Sequence, residues 1–339
     1  MNGTDARYAD FSLVKEMLES PDVIRRMDVE AVKKLAGELT GIKGPFLLSG
    51  EGSSRIFPAK RARIEALRRG SALLPVVEGA TQALEYPLAG GVAFVASNSG
   101  KTKEGLRLVR SAKKRGIKSV GIVANAGTPI ADEADHAIVL SCGPEAAVAA
   151  TKSVIEQALV YHTIFAERAG FPVPDREKLA SALDAVLHAA PAKEIVDAVT
   201  KAKTLFWAGR NDGVAEELTL KTNEISRKRS DFLEGTYAVH GIEEVMTPDD
   251  VVILVNPFPE EEVKLKQTLA DGVGLTVVAI ASRQTSFPTF VVPALEGADE
   301  YLQLAAGWNL LVEVGINCGV KLDQTTRARK VGNEMETSK

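Results

Sequence analysis

Short, unbroken runs of β-branched and small apolar residues alternate along this chain with longer amphipathic segments. Seven such runs, at 45–49, 92–96, 119–124, 137–140, 204–208, 251–255 and 275–281, stand among candidate helices at 29–40, 54–69, 103–115, 145–169, 174–190, 214–229, 260–270 and 299–320. A strand wetted on one face alternates apolar and polar residues. A strand without that alternation is covered on both faces, and helical crossovers supply the cover. The pattern therefore predicts an α/β fold of parallel sheets held between helical layers. In such sheets ligands bind beyond the carboxyl ends of the strands, where loops feed helix N-termini.

The two halves look like a loose duplication. Residues 45–52 and the helix after them resemble 204–213 and theirs, and each pair is followed by a second strand–loop–helix, at 92–115 and 251–270. The expected organisation is a helical lead over 1–27, a first domain over 28–172, a second over 173–320 and a polar C-terminal loop over 321–339.

Bulk composition excludes several classes of function. With 41 basic and 45 acidic residues the net charge is −4, so nothing points to nucleic acid or another polyanion as partner. No apolar stretch approaches the ~20 residues that cross a bilayer, and the N-terminus has no basic region followed by an apolar one. The expectation is a cytoplasmic protein with no membrane partner. Two cysteines, Cys142 and Cys318, and four scattered histidines lack ligand spacing, so no metal and no cofactor are expected.

Residues 95–102 read Val-Ala-Ser-Asn-Ser-Gly-Lys-Thr, and the last three letters match the end of a nucleotide-binding P-loop. That loop also needs a glycine five residues before Gly100, to arch over the phosphates, and Val95 stands there. What remains is a strand running into three hydroxyl residues and an amide, then a helix. A second loop of the same kind, Ser49-Gly-Glu-Gly-Ser-Ser54, follows the preceding strand. Free N–H groups at helix N-termini, together with Ser and Thr hydroxyls, form a natural anion site. The lack of a lysine-rich cluster favours a phosphomonoester over a polyphosphate. The same residues also serve as helix N-caps and turn formers.

The pattern of these two loops, Gly-Ser-Ser after the first strand and Ser-x-Ser-Gly-x-Thr after the second, resembles the sugar isomerase (SIS) domain family. It is similar to the isomerase half of the glucosamine-6-phosphate synthases, which has two such domains in tandem. The likeness covers most of the chain and includes Gly143-Pro-Glu-Ala-Ala-Val-Ala-Ala-Thr-Lys152. It implies two SIS domains, each a flavodoxin-like parallel sheet in a three-layer αβα sandwich. It also implies that Ser53, Ser54, Ser97, Asn98, Ser99 and Thr102 surround the phosphate of a 6-phosphosugar, with Gly52 and Val148 as further substrate contacts. Asn98 stands where the family often has Gln, and Ala150 where the relative has a sugar-contacting Ser.

Glu224 lies in Lys-Thr-Asn-Glu-Ile-Ser226 on a segment with Val214, Leu218 and Ile225 on its apolar side, and His240 follows sixteen residues later. Aldose–ketose interconversion needs a base that carries a proton between C1 and C2 and a second group that opens the ring. A carboxylate and an imidazole suit those tasks. Taken alone, Glu224 could equally pair with Lys228 one helical turn on, and His240 could be a turn or core histidine. The resemblance matches Glu224 to the proton-shuttling glutamate and His240 to the ring-opening histidine, which in the family comes from the neighbouring subunit. A homodimer is therefore expected. After Gly241 the chain reads Ile-Glu-Glu in place of the family's Pro. Lys330 falls in frame with a lysine of the family's C-terminal loop, which folds over the sugar and forms a Schiff base with the open-chain ketose.

The chain starts directly ahead of the sugar domains and lacks the terminal cysteine of a glutaminase domain, so glutamine hydrolysis by that route is not expected. Three readings follow. The first is isomerisation of a 6-phosphosugar or amino sugar 6-phosphate. The second uses the same proton shuttle to deaminate an amino sugar phosphate or to cleave a ketosamine 6-phosphate. The third is a non-catalytic sugar-phosphate-binding regulator, which would not need Glu224, His240 and Lys330 together.

Overall fold

Val92–Ser97 is buried at all six positions, as its apolar run Val92–Ala96 requires, and forms the middle strand (β3) of a five-stranded parallel sheet in the computed structural model. Residues 1–327 are described here. The sheet runs in the order β2-β1-β3-β4-β5, with β1 at Phe46–Gly50, β2 at Pro75–Glu78, β4 at Lys118–Val123 and β5 at His136–Val139. A second parallel sheet has the order β10-β9-β8-β6-β7. Its strands are β6 at Thr204–Gly209, β7 at Arg229–Glu234, β8 at Val251–Val255, β9 at Thr276–Ala281 and β10 at Thr289–Val291. Two parallel sheets flanked by helices are the tandem αβα architecture that the alternating pattern predicts.

The chain divides into two compact units. One comprises Glu19–Glu177 with the first sheet, and the other Met1–Leu18 and Lys178–Gln324 with the second. In each unit one long helix is buried almost all round. Lys152–Ala169 is buried from Lys152 through Ala166, and Asp299–Asn317 carries the fully buried Tyr301 and Trp308. Phe46 and Phe94 of the first sheet meet Phe165 and Tyr161 of the former helix, with ring centroids 5.9–6.0 Å apart. Offset and edge-on aromatic contacts of this kind add about 0.5–1.5 kcal/mol each beyond the area they bury. No helix among the described residues is long and apolar enough to cross a membrane.

The structure departs from the sequence pattern at the sheet edges. β2, β7 and β10 are edge strands with exposed positions, and β7 carries Arg229, Asp231 and Glu234 in six residues. Water covers part of such a strand, so its sequence need not be apolar and no run betrays it. The expected helix over 214–229 is a correction for the same reason. Its α-helical part ends at Lys221, one π-helical turn occupies Thr222–Ser226, Arg227 turns the chain at φ 59, and β7 begins. The expected helix over 145–169 begins only at Lys152, and a loop from Gly143 (φ 65) to Thr151 precedes it.

Candidate active site

β1 and β3 are neighbours in register, Gly50 opposite Ala96, so their carboxyl ends release the two hydroxyl-rich loops side by side. The first loop forms a 3₁₀ turn, Gly52–Ser54, that leads into the helix Ile56–Arg68; the second leads into Lys103–Lys114. Gly52, at φ 52, adopts the left-handed backbone that lets the first loop fold back. Gly100 does the same at φ 67, where a side-chain carbon would lie only 2.2 Å from Thr128 Oγ1.

The second loop braces itself. Ser97 is buried, and its Oγ accepts from the Gly100 amide at 3.1 Å and from Thr102 Oγ1 at 2.7 Å, while Ser99 Oγ accepts from the Lys101 amide at 3.2 Å. The Asn98 and Gly100 carbonyls accept from the Ala124 and Ile130 amides, which ties the loop to the end of β4 and the turn after it. Between the two loops lies a cavity of ≈ 150 Å³ lined by Ser54, Ser97, Asn98, Ser99 and Thr102, with Val148 and Ala150 on a further wall and Glu51 among its lining residues. Ser53 is buried in the same 3₁₀ turn as Ser54 and Gly52. The cavity gathers hydroxyls and an amide at the carboxyl edge of a parallel sheet, the chemistry that holds a small anion.

Two carboxylates stand beside these donors. Glu51 Oε1 accepts from the Ala80 amide at 3.0 Å, and loss of hydration holds its carboxyl above the ordinary range, an effect that this hydrogen bond partly offsets. Glu145 is buried. Its Oε2 accepts from Asn98 Nδ2 at 2.8 Å and from Ser153 Oγ at 2.5 Å, and its Oε1 from the Thr151 amide at 2.7 Å. Another buried acid, Glu156, accepts from the Ser141 and Cys142 amides, both at 2.8 Å. Together the two acids fix the loop over 141–151 that carries Val148 and Ala150 to the cavity. In the sequence Glu145 stands within the Gly-Pro-Glu motif with no assigned role. The only signal was an acid directly after a Gly-Pro pair.

Glu224 belongs to the other unit, in the π-helical turn. The alternative surface pair with Lys228 does not form, since Lys228 Nζ donates to the Ala202 carbonyl. Glu224 instead accepts from Lys221 Nζ at 2.8 Å, and that same ammonium lies 3.3 Å from Glu217. Trp207 Nε1 of β6 donates to Thr222 Oγ1 at 2.7 Å and secures the turn to the sheet. Gly307 lets the buried helix Asp299–Asn317 press against Leu218, where an added side-chain carbon would come within 2.3 Å. Val214, Leu218 and Ile225 are fully buried, as the apolar side of this segment requires.

His240 is exposed and closes a 3₁₀ turn, Tyr237–Val239, after the far end of β7. Glu224 precedes that strand and His240 follows it, so about 20 Å of extended chain lies between their turns. Lys330 lies outside the described residues. Among the described residues no group of three or more His, Cys, Asp and Glu side chains is arranged to hold a metal ion.

The family model described as the SIS domain matches residues 84–167, from just after the short helix Ala80–Ala83 into the last turn of the helix Lys152–Ala169. Residues 84–167 thus match a SIS domain. It is 28% identical over 316 residues to the isomerizing glutamine–fructose-6-phosphate aminotransferase of Aeropyrum pernix, covering 85% of this chain and 50% of the relative. The SIS-domain chain thus spans about half the length of that relative, and the likeness is to its isomerase part. In fold it is similar to tagatose-6-phosphate ketose/aldose isomerase from Escherichia coli (TM-score 0.78, 17% identity, 95% of this chain and 97% of that one). It is also similar to glucosamine-6-phosphate deaminase from Thermotoga maritima (TM-score 0.72, 18% identity, 94% and 99%).

Proposed function

We propose that this SIS-domain protein is an aldose–ketose isomerase acting on a 6-phosphosugar or amino sugar 6-phosphate. The observation that carries the reading is the cavity in which Ser54, Ser97, Asn98, Ser99 and Thr102 converge at the edge of a parallel sheet. Those donors hold the substrate phosphate. Glu224 takes a proton from one of the first two sugar carbons and returns it to the other, so the reaction rearranges the sugar with no net gain or loss of atoms. His240, supplied across a dimer interface, protonates the ring oxygen as the ring opens. The stretch of β7 between Glu224 and His240 supports that division of labour. Lys330, outside the described residues, completes the proposed catalytic set.

The carboxylate of Glu51 in the cavity lining favours a second reading, in which the substrate carries an amine. A carboxylate repels a phosphate dianion at close range and attracts an ammonium. The same proton transfer then serves deamination, in which water enters and ammonia leaves, or cleavage of a ketosamine 6-phosphate by water into sugar phosphate and free amine.

Incubation with fructose 6-phosphate, glucosamine 6-phosphate and a fructosyl-amino-acid 6-phosphate, each with and without ammonia, separates these chemistries by their products. Conversion of at least one is expected. Tight binding of these sugars with no conversion of any would replace both enzyme readings with a regulator.

A further inference from the structure

An amide that hydrogen-bonds a carboxylate can face it in only one way. A carboxylate accepts and does not donate, so Asn98 must turn Nδ2, never Oδ1, toward Glu145. One Asn98 N–H is thereby committed, and the other is held in a fixed direction. The same carboxylate accepts from the Thr151 amide and from Ser153 Oγ, at the far end of the loop that brings Val148 and Ala150 to the cavity. A single buried side chain therefore sets two walls of the anion cavity: the amide on one and the loop on the other. Charge-assisted bonds of this kind are stronger than neutral ones, and an acceptor buried behind a site cannot be replaced by bulk water.

We propose that Glu145 is a positioning residue of the phosphate cup, acting on the bound anion through Asn98 rather than by contact. This rests on the reading of the cavity as a phosphate site and adds to it the element that orients the one amide side chain among its described lining residues.

A double-mutant cycle on the full chain, read by affinity for inorganic phosphate, tests the inference. Four proteins are compared: wild type, Asn98→Ala, Glu145→Gln and the double variant, with Glu145→Asp run in parallel in case the Gln variant does not fold. Each single substitution is expected to weaken phosphate about 10-fold. The double variant is expected to be no weaker than Asn98→Ala alone, because Glu145 has nothing left to orient. Loss of thermal stability from the Glu145 substitution should persist with or without Asn98, which separates support of the loop from orientation of the amide. Multiplicative weakening in the double variant would overturn the inference while leaving the cup intact. A wild-type protein that binds no phosphate would instead remove the phosphate reading, and this inference with it.

Discussion

Lys221 Nζ donates to Glu224 Oε2 over 2.8 Å from a side chain with no solvent exposure, and Glu217, equally buried, lies 3.3 Å from the same nitrogen. A buried ammonium between two carboxylates is stable only while its partners stay in place. Removing one partner from such a group costs roughly 3–5 kcal/mol, because a charge is left without compensation. The triad therefore fixes Glu224 in the middle of its π-helical turn. Of the two acids, Glu224 is the one with an exposed portion, 24% of its side chain.

Glu224→Gln should lower kcat by about 100-fold or more, the usual contribution of a positioned general base. KM for a converted phosphosugar should change little, and the fold should survive, since Lys221 keeps Glu217. Steady-state kinetics beside thermal unfolding make the comparison. Near-normal turnover would remove Glu224 from the role of base.

Ser99 lines the cavity and braces only the Lys101 amide. Ser99→Ala should raise the inhibition constant of inorganic phosphate about 10-fold, the loss of one hydrogen bond to a charged group. Thermal stability should fall by less than for Ser97→Ala, which removes an acceptor shared by Gly100 and Thr102. Phosphate inhibition unchanged in Ser99→Ala would place the anion elsewhere.

If His240 acts across a dimer interface, two dead variants should rescue each other. Glu224→Gln and His240→Ala, mixed in equal amounts and allowed to exchange subunits, form hybrid dimers with one intact site. Activity should recover to about a quarter of the wild-type value by statistics of assembly. A mixture as inactive as its components would assign both residues to one subunit.

His162 gives the first unit a dependence on pH. Its Nδ1 lies 2.8 Å from Arg61 Nη1, a donor only, so Nδ1 accepts, and Nε2–H is left to donate to the Pro172 carbonyl at 3.3 Å. Burial, with Arg61 and Arg69 close by, pushes the imidazole down to about 2 from an ordinary 6.5. The unfolded chain takes up a proton near pH 6.5 that the folded chain refuses. Stability from this residue is therefore present above pH 6.5 and is lost as pH falls below it, at up to ~1.4 kcal/mol per pH unit. Denaturant unfolding from pH 7 to pH 5 should show a steeper decline for the wild type than for His162→Asn. Parallel declines would dismiss the assignment.

The interior of each sheet could be read from sequence because both faces of those strands are covered, which leaves only apolar residues acceptable: Val92–Ser97 and Val251–Val255 are buried throughout. β2, β7 and β10 could not, since an edge strand gains its hydrogen bonds from one neighbour and tolerates charge on its wet side. The fourth edge strand, β5, keeps an apolar Ala-Ile-Val run and was legible despite its exposed positions. The hydroxyl loops were readable for a local reason. Ser97, Gly100 and Thr102 interact within six residues, so spacing alone encodes their turn. Glu145 and Asn98 are forty-seven residues apart and meet at 2.8 Å, a contact that no local pattern records.

Sequence by itself determined the class of the fold and the chemical character of its loops, because both follow from short-range periodicity and from the side chains each loop carries. Tertiary structure decided which acids are buried, which lysine holds Glu224 and which carboxylate turns the amide of Asn98. Those facts depend on the balance between desolvation and pairing, and that balance exists only once distant segments have been packed together.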